Sequence, residues 1–226
     1  MKQSILLYRY LPCDSAIKTI EGKAFRVSRI LELKDPFEWL PGLDPVKPEA
    51  TDLTKWCIVD IDGFLKEMNE NYGILSFSES IREPVLWSHY ADSHRGIAFE
   101  VDIITTELYK VEYTNERPVI DPRWIHDQNK ESRLLDILKK FWYRKSPGWV
   151  YEKERRVAIE LNTCRTSNGM FFLDIPTDYL NLKRIILGAE CPLGMGYVRR
   201  ALELNGFDNV GVVQAKLCNK TYDIRC

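Results

Sequence analysis

Short segments in which apolar and polar residues alternate recur along the chain, and they constrain its fold more than any other feature. The alternation predicts β-strands at residues 4–10, 24–30, 72–80, 97–101, 109–114, 155–161, 170–175, 182–188 and 210–217. Helical periodicity and capping residues predict helices from Asp14 or Ser15 to near Gly22, at 61–71, 84–91 and 129–143, and in the second half of 192–206. This mixture within 226 residues predicts a single α+β domain that spans residues 1–226.

The overall composition is typical of a globular protein, with 45% hydrophobic and 29% charged residues. The net charge of −1 disfavours binding to nucleic acid or to anionic membranes by bulk charge. Neither a signal-peptide core nor an apolar stretch of membrane-spanning length is present, so we expect a cytoplasmic protein without a membrane partner. The six cysteines include no C-x-x-C pair, which disfavours a structural zinc site and a disulfide framework.

The stretch "GWVYEKERRVAI", residues 148–159, places a run of charged residues directly before an apolar strand. If residues 152–161 are extended, Glu152 and Glu154 project side by side about 7 Å apart, on the face opposite the apolar side chains. Two carboxylates at that separation tend to acquire different pKa values, which suits one to bind a hydroxyl and the other to handle a nucleophile. In the alternative, a solvated strand end, the glutamates pair with neighbouring cations: Lys153, Arg155 or Arg156.

A second concentration of functional side chains lies in "LWSHYADSHRGIAFEV", residues 86–101. Trp87, His89 and Tyr90 could form a pocket wall whose rings stack on a planar ligand and whose polar tips orient it. In the alternative, Trp87 and Tyr90 are core residues of a short helix and His89 is a structural hydrogen-bonding residue. The spacing of His89 and His94 could suit a metal, but no acidic or thiol partner lies at a recognisable offset, so we expect no metal.

Polar residues on two other predicted strands are further candidates. Arg9, between two tyrosines in "LYRY", could bind a phosphate through its planar guanidinium or could be a surface charge. Ser76 and Ser78 share a face of the strand "LSFSES", but no fixed His and Asp around them indicate a serine nucleophile. The isolated glycines form no phosphate-binding loop, which disfavours a Rossmann or P-loop enzyme.

Several motifs occur in the order found in a bacterial protein family: "LYRY", "LKDPFE", "ILSFSE", "LWSHYADSHRGIAFEV", "VEYT", "KSPGWVYEKERRVAI" and "IILG". Over residues 6–188 the chain resembles the DUF2971 family of uncharacterised proteins, and the W-S-H-Y-A-D…G and W-x-Y-E-x-E-x-R blocks are the most specific. Arg155 stands where the family usually has an aromatic residue, and Lys34 stands where it tends to have Asn. The resemblance implies a shared fold and no particular activity.

The chain also resembles ADP-ribosyltransferases, which carry an Arg or His on an early strand, a Ser or Tyr after a middle strand and a Glu, often in E-x-E, on a later strand. The resemblance implies split β-sheets with flanking helices and NAD bound across the split. It implies that Glu154 binds the ribose 2′-hydroxyl as the catalytic residue and that Glu152 orients the acceptor. The residues expected to bind the nucleotide are Arg9, Ser76, Ser78, Trp87, His89, Tyr90 and Arg156.

The resemblance to ADP-ribosyltransferases predicts an NAD-dependent transferase, a toxin or phage-defence effector that modifies a protein or a nucleic acid. A first alternative is a metal-dependent nuclease, because acidic residues lie near strand ends in "AFEVD", "VEYT" and "EKE". Against it, Lys153 lies between the two glutamates and is expected to point to the other strand face. A second alternative is a non-enzymatic binding or regulatory module that recognises a partner through its Trp-His-Tyr patch.

Overall fold

The computed structural model describes residues 4–35, 37–38, 63, 65–104, 108–118 and 141–226. The strands are β1 (Ile5–Leu11), β2 (Ala24–Arg29), β3 (Tyr72–Ser78), β4 (Ile97–Ile103), β5 (Leu108–Lys110), β6 (Glu112–Tyr113), β7 (Arg144–Lys145), β8 (Glu154–Glu160), β9 (Arg165–Ser167), β10 (Met170–Asp174), β11 (Leu180–Leu187), β12 (Gly211–Gln214), β13 (Lys216–Leu217) and β14 (Ile224–Arg225). The α-helices are α1 (Cys13–Gly22), α2 (Pro84–Tyr90) and α3 (Met195–Leu204), and residues 65–71 are also helical. Short 3₁₀ helices occur at Ile30–Glu32, Pro147–Glu152 and Leu161–Thr163.

In the described part of the chain, ten strands form one mixed sheet whose path runs β12-β11-β4-β1-β3-β2-β10-β9, with β8 paired to β3 and β5. β1 pairs with β4 along its whole length, and β3 does the same with β8. Between β1 and β3 the register contains a single pair, Tyr8 with Ser78. The sheet therefore has two halves with a narrow junction. The mixed sheet with its few helices confirms the predicted α+β class, but these strands form one continuous sheet rather than the expected split sheets. The likeness to ADP-ribosyltransferases is not established by this topology and stays a prediction.

Arg9 occupies the fork where the two halves separate. Its Nη1 donates to the carbonyl of Ser76 on β3 at 3.1 Å, and its Nη2 donates to the carbonyl of Arg26 on β2 at 2.8 Å. The rings of Phe25 and Phe77 lie 5.4 and 6.0 Å from the guanidinium carbon. Burial lowers the pKa of Arg9 to about 10, so the group stays charged at neutral pH. The side chain thus connects strands from both halves through their backbone carbonyls.

Apolar side chains cover both faces of the sheet. On one face, α1 and α3 contribute Ile20 and Leu202 to a core that contains Phe99 of β4. On the other face, α2 contributes Trp87, which packs with Tyr10 of β1. Alternate residues of the central strands face the two cores in turn, as the pleat of a strand requires. Burial of one such large side chain contributes about 1.5–3 kcal/mol.

Most predicted elements are present with shifted ends. The helix expected to start at Asp14 or Ser15 begins at Cys13, after Pro12, without a side-chain cap. The predicted strand 210–217 is two short strands, β12 and β13, which belong to different sheets. Most of the predicted helix 129–143 and residues 61, 62 and 64 of the predicted helix 61–71 lie outside the described residues. No helix among the described residues has the length and apolar character needed to cross a bilayer.

Candidate active site

Five charged side chains from separate parts of the chain meet between β3, β7 and β8 and are almost completely buried. Their side chains are between 1% and 7% exposed: Glu38, Lys145, Glu152, Glu154 and Arg156. Burying a charge is costly unless it is paired, and every member of this set has an oppositely charged neighbour. We call these five residues the charge cluster.

The backbone brings Glu152 and Glu154 together by a route that differs from the predicted one. Glu152 ends the 3₁₀ helix Pro147–Glu152, and β8 begins at Glu154. Lys153 between them is exposed and has a left-handed backbone with φ of 45°. Residues 152–161 are therefore not extended throughout, which was the condition for the predicted side-by-side placement of the two glutamates. The sharp change of direction at Lys153 turns both carboxylates inward, where both lie near the ammonium of Lys145.

Lys145 lies at the centre of the three carboxylates. Its Nζ is 2.6 Å from Oε2 of Glu152, 3.4 Å from Oε2 of Glu154 and 3.3 Å from Oε1 of Glu38. Burial by itself lowers the pKa of Lys145, but the three carboxylates raise it above its ordinary value, so the ammonium stays charged. Neither Lys145 nor Glu38 was predicted from the sequence as a site residue.

Arg156 binds Glu154 through two parallel hydrogen bonds. Its Nε donates to Oε1 and its Nη2 donates to Oε2, each at 2.8 Å, which is the fork geometry of a strong arginine–carboxylate pair. Its Nη2 also lies 2.5 Å from Oε2 of Glu38, and its Nη1 donates to the carbonyl of Trp142 at 3.0 Å. The expected pairing with Arg156 is correct for Glu154, whereas the alternative of a solvated strand end is contradicted by burial.

The two central glutamates have pKa values shifted in opposite directions. For Glu154, burial raises the pKa, but Arg156 and Lys145 outweigh burial and lower it to about 2. For Glu152, burial is the largest effect, and together with the nearby Glu154 charge it outweighs Lys145 and raises the pKa above the ordinary range. Glu154 is therefore a permanently ionised partner of Arg156, while Glu152 is the carboxylate more easily protonated. This is the division of roles that two adjacent carboxylates need for acid–base work.

Glu152 also connects the charge cluster to a group of ring side chains nearer the surface. Tyr90 donates from its hydroxyl to Oε1 of Glu152 at 2.5 Å. The ring of Tyr151 lies 6.0 Å from both His89 and Trp149, and the Tyr151 hydroxyl is 3.1 Å from Nδ1 of His89. His89 is exposed and the other three rings are partly exposed. We call these four residues the aromatic rim.

Lys34 adds a positive charge to the aromatic rim. Its Nζ lies 4.1 Å from the centroid of the Tyr90 ring and donates to the carbonyl of His89 at 3.3 Å. Among the described residues it forms no salt bridge. Burial lowers its pKa, and the nearby Glu152 charge partly restores it. The exposed ammonium is thus positioned to meet an anionic group of a ligand.

The remaining predicted site residues have mainly structural surroundings. Trp87 is fully buried, its Nε1 donates to the carbonyl of Ile81 at 2.8 Å, and it packs edge-on against Tyr10. An indole in this position would reach a ligand only after a rearrangement of α2. The hydroxyl of Ser78 donates to the carbonyl of Glu152 at 2.6 Å, and Ser76 is among the neighbours that lower the pKa of Glu154. Both serines therefore support the glutamates.

The site residues that were not predicted from the sequence lie within two of the motifs quoted above. Glu38 and Lys34 belong to "LKDPFE", and Lys145, Trp149 and Tyr151 belong to "KSPGWVYEKERRVAI". A search for the counter-ion of two closely spaced buried glutamates could have found Lys145, because such charges require a cation. No protein-family model, curated protein or solved structure matches this chain. Both family resemblances therefore stay predictions.

Proposed function

We propose that the protein is an NAD-dependent transferase of the ADP-ribosyltransferase type, with Glu152 as the reacting carboxylate. One observation carries the proposal: Glu152 has a raised pKa and contacts the aromatic rim, while its neighbour Glu154 has a lowered pKa and is held by Arg156. This assigns the two glutamates differently from the sequence resemblance, which implies Glu154 as the leading catalytic residue.

The groups around Glu152 suit a nucleotide ligand. Partly exposed rings such as Trp149 and Tyr151 provide surfaces on which a nicotinamide or adenine ring can stack. Lys34 provides a cation for the pyrophosphate. The Glu152 carboxylate and the Tyr90 hydroxyl oxygen provide acceptors for ribose hydroxyls, because the single Tyr90 proton is already donated to Glu152. These side chains fit the chemical parts of NAD without a metal ion.

NAD supplies an ADP-ribosyl group attached to a good leaving group, nicotinamide. Ionised Glu152 would bind a ribose hydroxyl or take the proton from the incoming nucleophile, and its negative charge would stabilise positive charge on the sugar. Lys145 and the Tyr90 hydroxyl hold the Glu152 carboxylate in one orientation. Glu154 and Arg156 act as positioning residues, because their mutual bonds leave neither free to react. The acceptor would be a protein or a nucleic acid, as expected of a toxin or defence effector.

The decisive experiment measures nicotinamide release from NAD by the purified protein and by Glu152→Gln. We expect the substitution to reduce release by at least about 100-fold, because it removes the acid–base group and keeps the side-chain shape. Glu160→Gln is the matched control, since Glu160 is an exposed residue of β8 and should retain full activity. Equal activity of the wild type and Glu152→Gln would reject Glu152 as the reacting group.

Ligand binding separates this proposal from the two alternatives. A rise in melting temperature with NAD supports the transferase, because a ligand that binds the native state stabilises it. A rise with Mg²⁺ or Mn²⁺ and none with NAD would favour the nuclease. That alternative has less support, since the carboxylates of the charge cluster already have cationic partners. No rise with either, together with a stable partner in pull-down experiments, would favour the binding module.

A further inference from the structure

Two thiols that are far apart in sequence lie almost in contact beside the core to which α1 and α3 contribute. The Sγ atoms of Cys13 and Cys191 are 3.5 Å apart, although 178 residues separate them along the chain. Both cysteines are partly exposed and neither forms a disulfide. A disulfide has a sulfur–sulfur distance of about 2.05 Å, so bond formation requires an approach of about 1.5 Å.

The sheet places these cysteines next to each other. Cys13 follows β1 and Cys191 follows β11, and both strands pair with β4. Gly188 donates to the carbonyl of Gly96 at 2.8 Å, which holds the segment after β11 against the turn before β4. A Cβ on Gly188 would lie 2.0 Å from the carbonyl oxygen of His94, so a glycine is needed for this approach. The short thiol distance therefore follows from strand pairing.

We propose that Cys13 and Cys191 are a reversible oxidation site that forms a disulfide with an oxidised low-molecular-weight thiol, such as glutathione disulfide, as the oxidant. One thiolate attacks the small disulfide, forms a mixed disulfide and expels one glutathione thiolate. The second cysteine then attacks the protein sulfur of the mixed disulfide and expels the second glutathione. Two protein thiols are oxidised, one glutathione disulfide is reduced to two glutathiones, and the two protons from the protein thiols end on the released glutathiones.

The surroundings of the pair assign the order of the two steps. The thiol of Cys13 donates to the carbonyl of Arg95 at 3.0 Å, and burial raises the pKa of Cys13 to about 12. A thiol in that state is a poor first nucleophile, because the thiolate is the reactive form. Cys191 therefore makes the first attack, and Cys13 resolves the mixed disulfide from its position beside it.

The disulfide would connect the start of α1 to the segment that follows β11. Because the closed loop contains most of the chain, the bond would restrict the unfolded state strongly and raise the melting temperature. For a protein of this size we expect an increase of about 5 °C or more. Reduction with dithiothreitol should return the melting temperature to that of the thiol form.

The test incubates the full chain with glutathione disulfide at pH 8, blocks remaining thiols with iodoacetamide and maps the peptides by mass spectrometry. We expect a cross-linked peptide containing Cys13 and Cys191, a mass 2 Da lower than that of the reduced protein before alkylation, and a higher melting temperature that dithiothreitol reverses. Cys164→Ser, which removes a partly exposed cysteine outside the pair, should retain the cross-link and the temperature shift.

Two further variants define the roles of the cysteines. Cys13→Ser should accumulate a glutathione adduct on Cys191 without a cross-link, because the resolving thiol is missing. In Cys191→Ser, the glutathione adduct on Cys13 should form much more slowly than the adduct on Cys191 forms in Cys13→Ser. Three results for the wild-type protein would overturn the proposal. They are a stable glutathione adduct on Cys191, a cross-link between other cysteines, and no reaction under conditions in which free cysteine reacts with glutathione disulfide.

Discussion

The hydroxyl of Tyr90 donates a 2.5 Å hydrogen bond to Oε1 of Glu152, across 62 residues of sequence. This bond favours the ionised form of Glu152 and so opposes the effect of burial on its pKa. It also joins the charge cluster to the aromatic rim by a side-chain hydrogen bond. Tyr90 therefore helps to orient the proposed reacting group and favours its ionised form.

Tyr90→Phe should move the acidic limb of the pH–rate profile to higher pH. Without the hydroxyl, the ionised form of Glu152 loses a donor, so the pKa of Glu152 should rise further. The measurement is kcat/KM for nicotinamide release across pH 4–9. Tyr151→Phe is the control, because the Tyr151 hydroxyl contacts His89 and should leave the limb in place. A limb that stays in place in Tyr90→Phe would show that Glu152 does not set it.

Glu154→Gln should destabilise the fold, because Glu154 is a buried partner of Arg156. The substitution breaks a buried two-bond pair with Arg156 and should cost about 3–5 kcal/mol in free energy of unfolding. Urea denaturation measures this, with Glu160→Gln as the exposed control. If Glu154→Gln loses no more free energy of unfolding than the control, the ion pair of Arg156 with Glu38 is sufficient to stabilise the buried guanidinium.

The stability difference between the wild type and Glu154→Gln should also depend on pH. The folded-state pKa of Glu154, about 2, lies below its ordinary value of 4.5. Its contribution to stability is therefore present above about pH 5 and is lost as the pH falls towards 2. Urea denaturation of both proteins between pH 6 and pH 2.5 should give free-energy curves that converge at low pH. Curves that stay parallel would show that the pKa of Glu154 is not lowered by folding.

Arg9→Lys should reduce stability more than it reduces NAD binding. A lysine ammonium donates from one nitrogen and lacks the planar guanidinium that reaches the Ser76 and Arg26 carbonyls from two, so we expect a loss of about 1–3 kcal/mol in free energy of unfolding. Arg26→Lys is the matched control, because the exposed pair of Arg26 with Glu32 should contribute less than about 1 kcal/mol. Loss of NAD affinity with unchanged stability would instead support the phosphate-binding role expected from the sequence.

Trp149→Ala should weaken NAD binding by about 10-fold, because stacking of a base on an aromatic ring contributes about 1–3 kcal/mol. The change also removes the ring that lies 4.6 Å from the Lys145 ammonium. Isothermal titration calorimetry measures the Kd, and thermal denaturation reports folding. Val150→Ala is the control, since Val150 is 57% exposed in the same 3₁₀ helix. Equal affinities for both variants would exclude Trp149 from the ligand site.

Elements with strong local patterns could be predicted from the sequence. The alternation at 72–80 corresponds to β3, the helix in the second half of 192–206 is α3 (Met195–Leu204), and Asn205-Gly206 follows its end. The strand predicted at 155–161 corresponds to β8, but the turn at Lys153 before it could not be predicted in this way. Lys153 has a left-handed backbone, which a lysine in an otherwise strand-like stretch does not indicate.

The sequence by itself determined the α+β class and the nomination of Glu152, Glu154, Arg156 and Tyr90, because periodicity and residue spacing depend on near neighbours. Tertiary structure decided which groups these residues contact. Lys145 becomes the centre of the charge cluster, Glu38 joins it from a distant motif, and Trp87 is buried in the core. Opposite charges within one buried volume must pair, and that volume is created only when separate strands assemble.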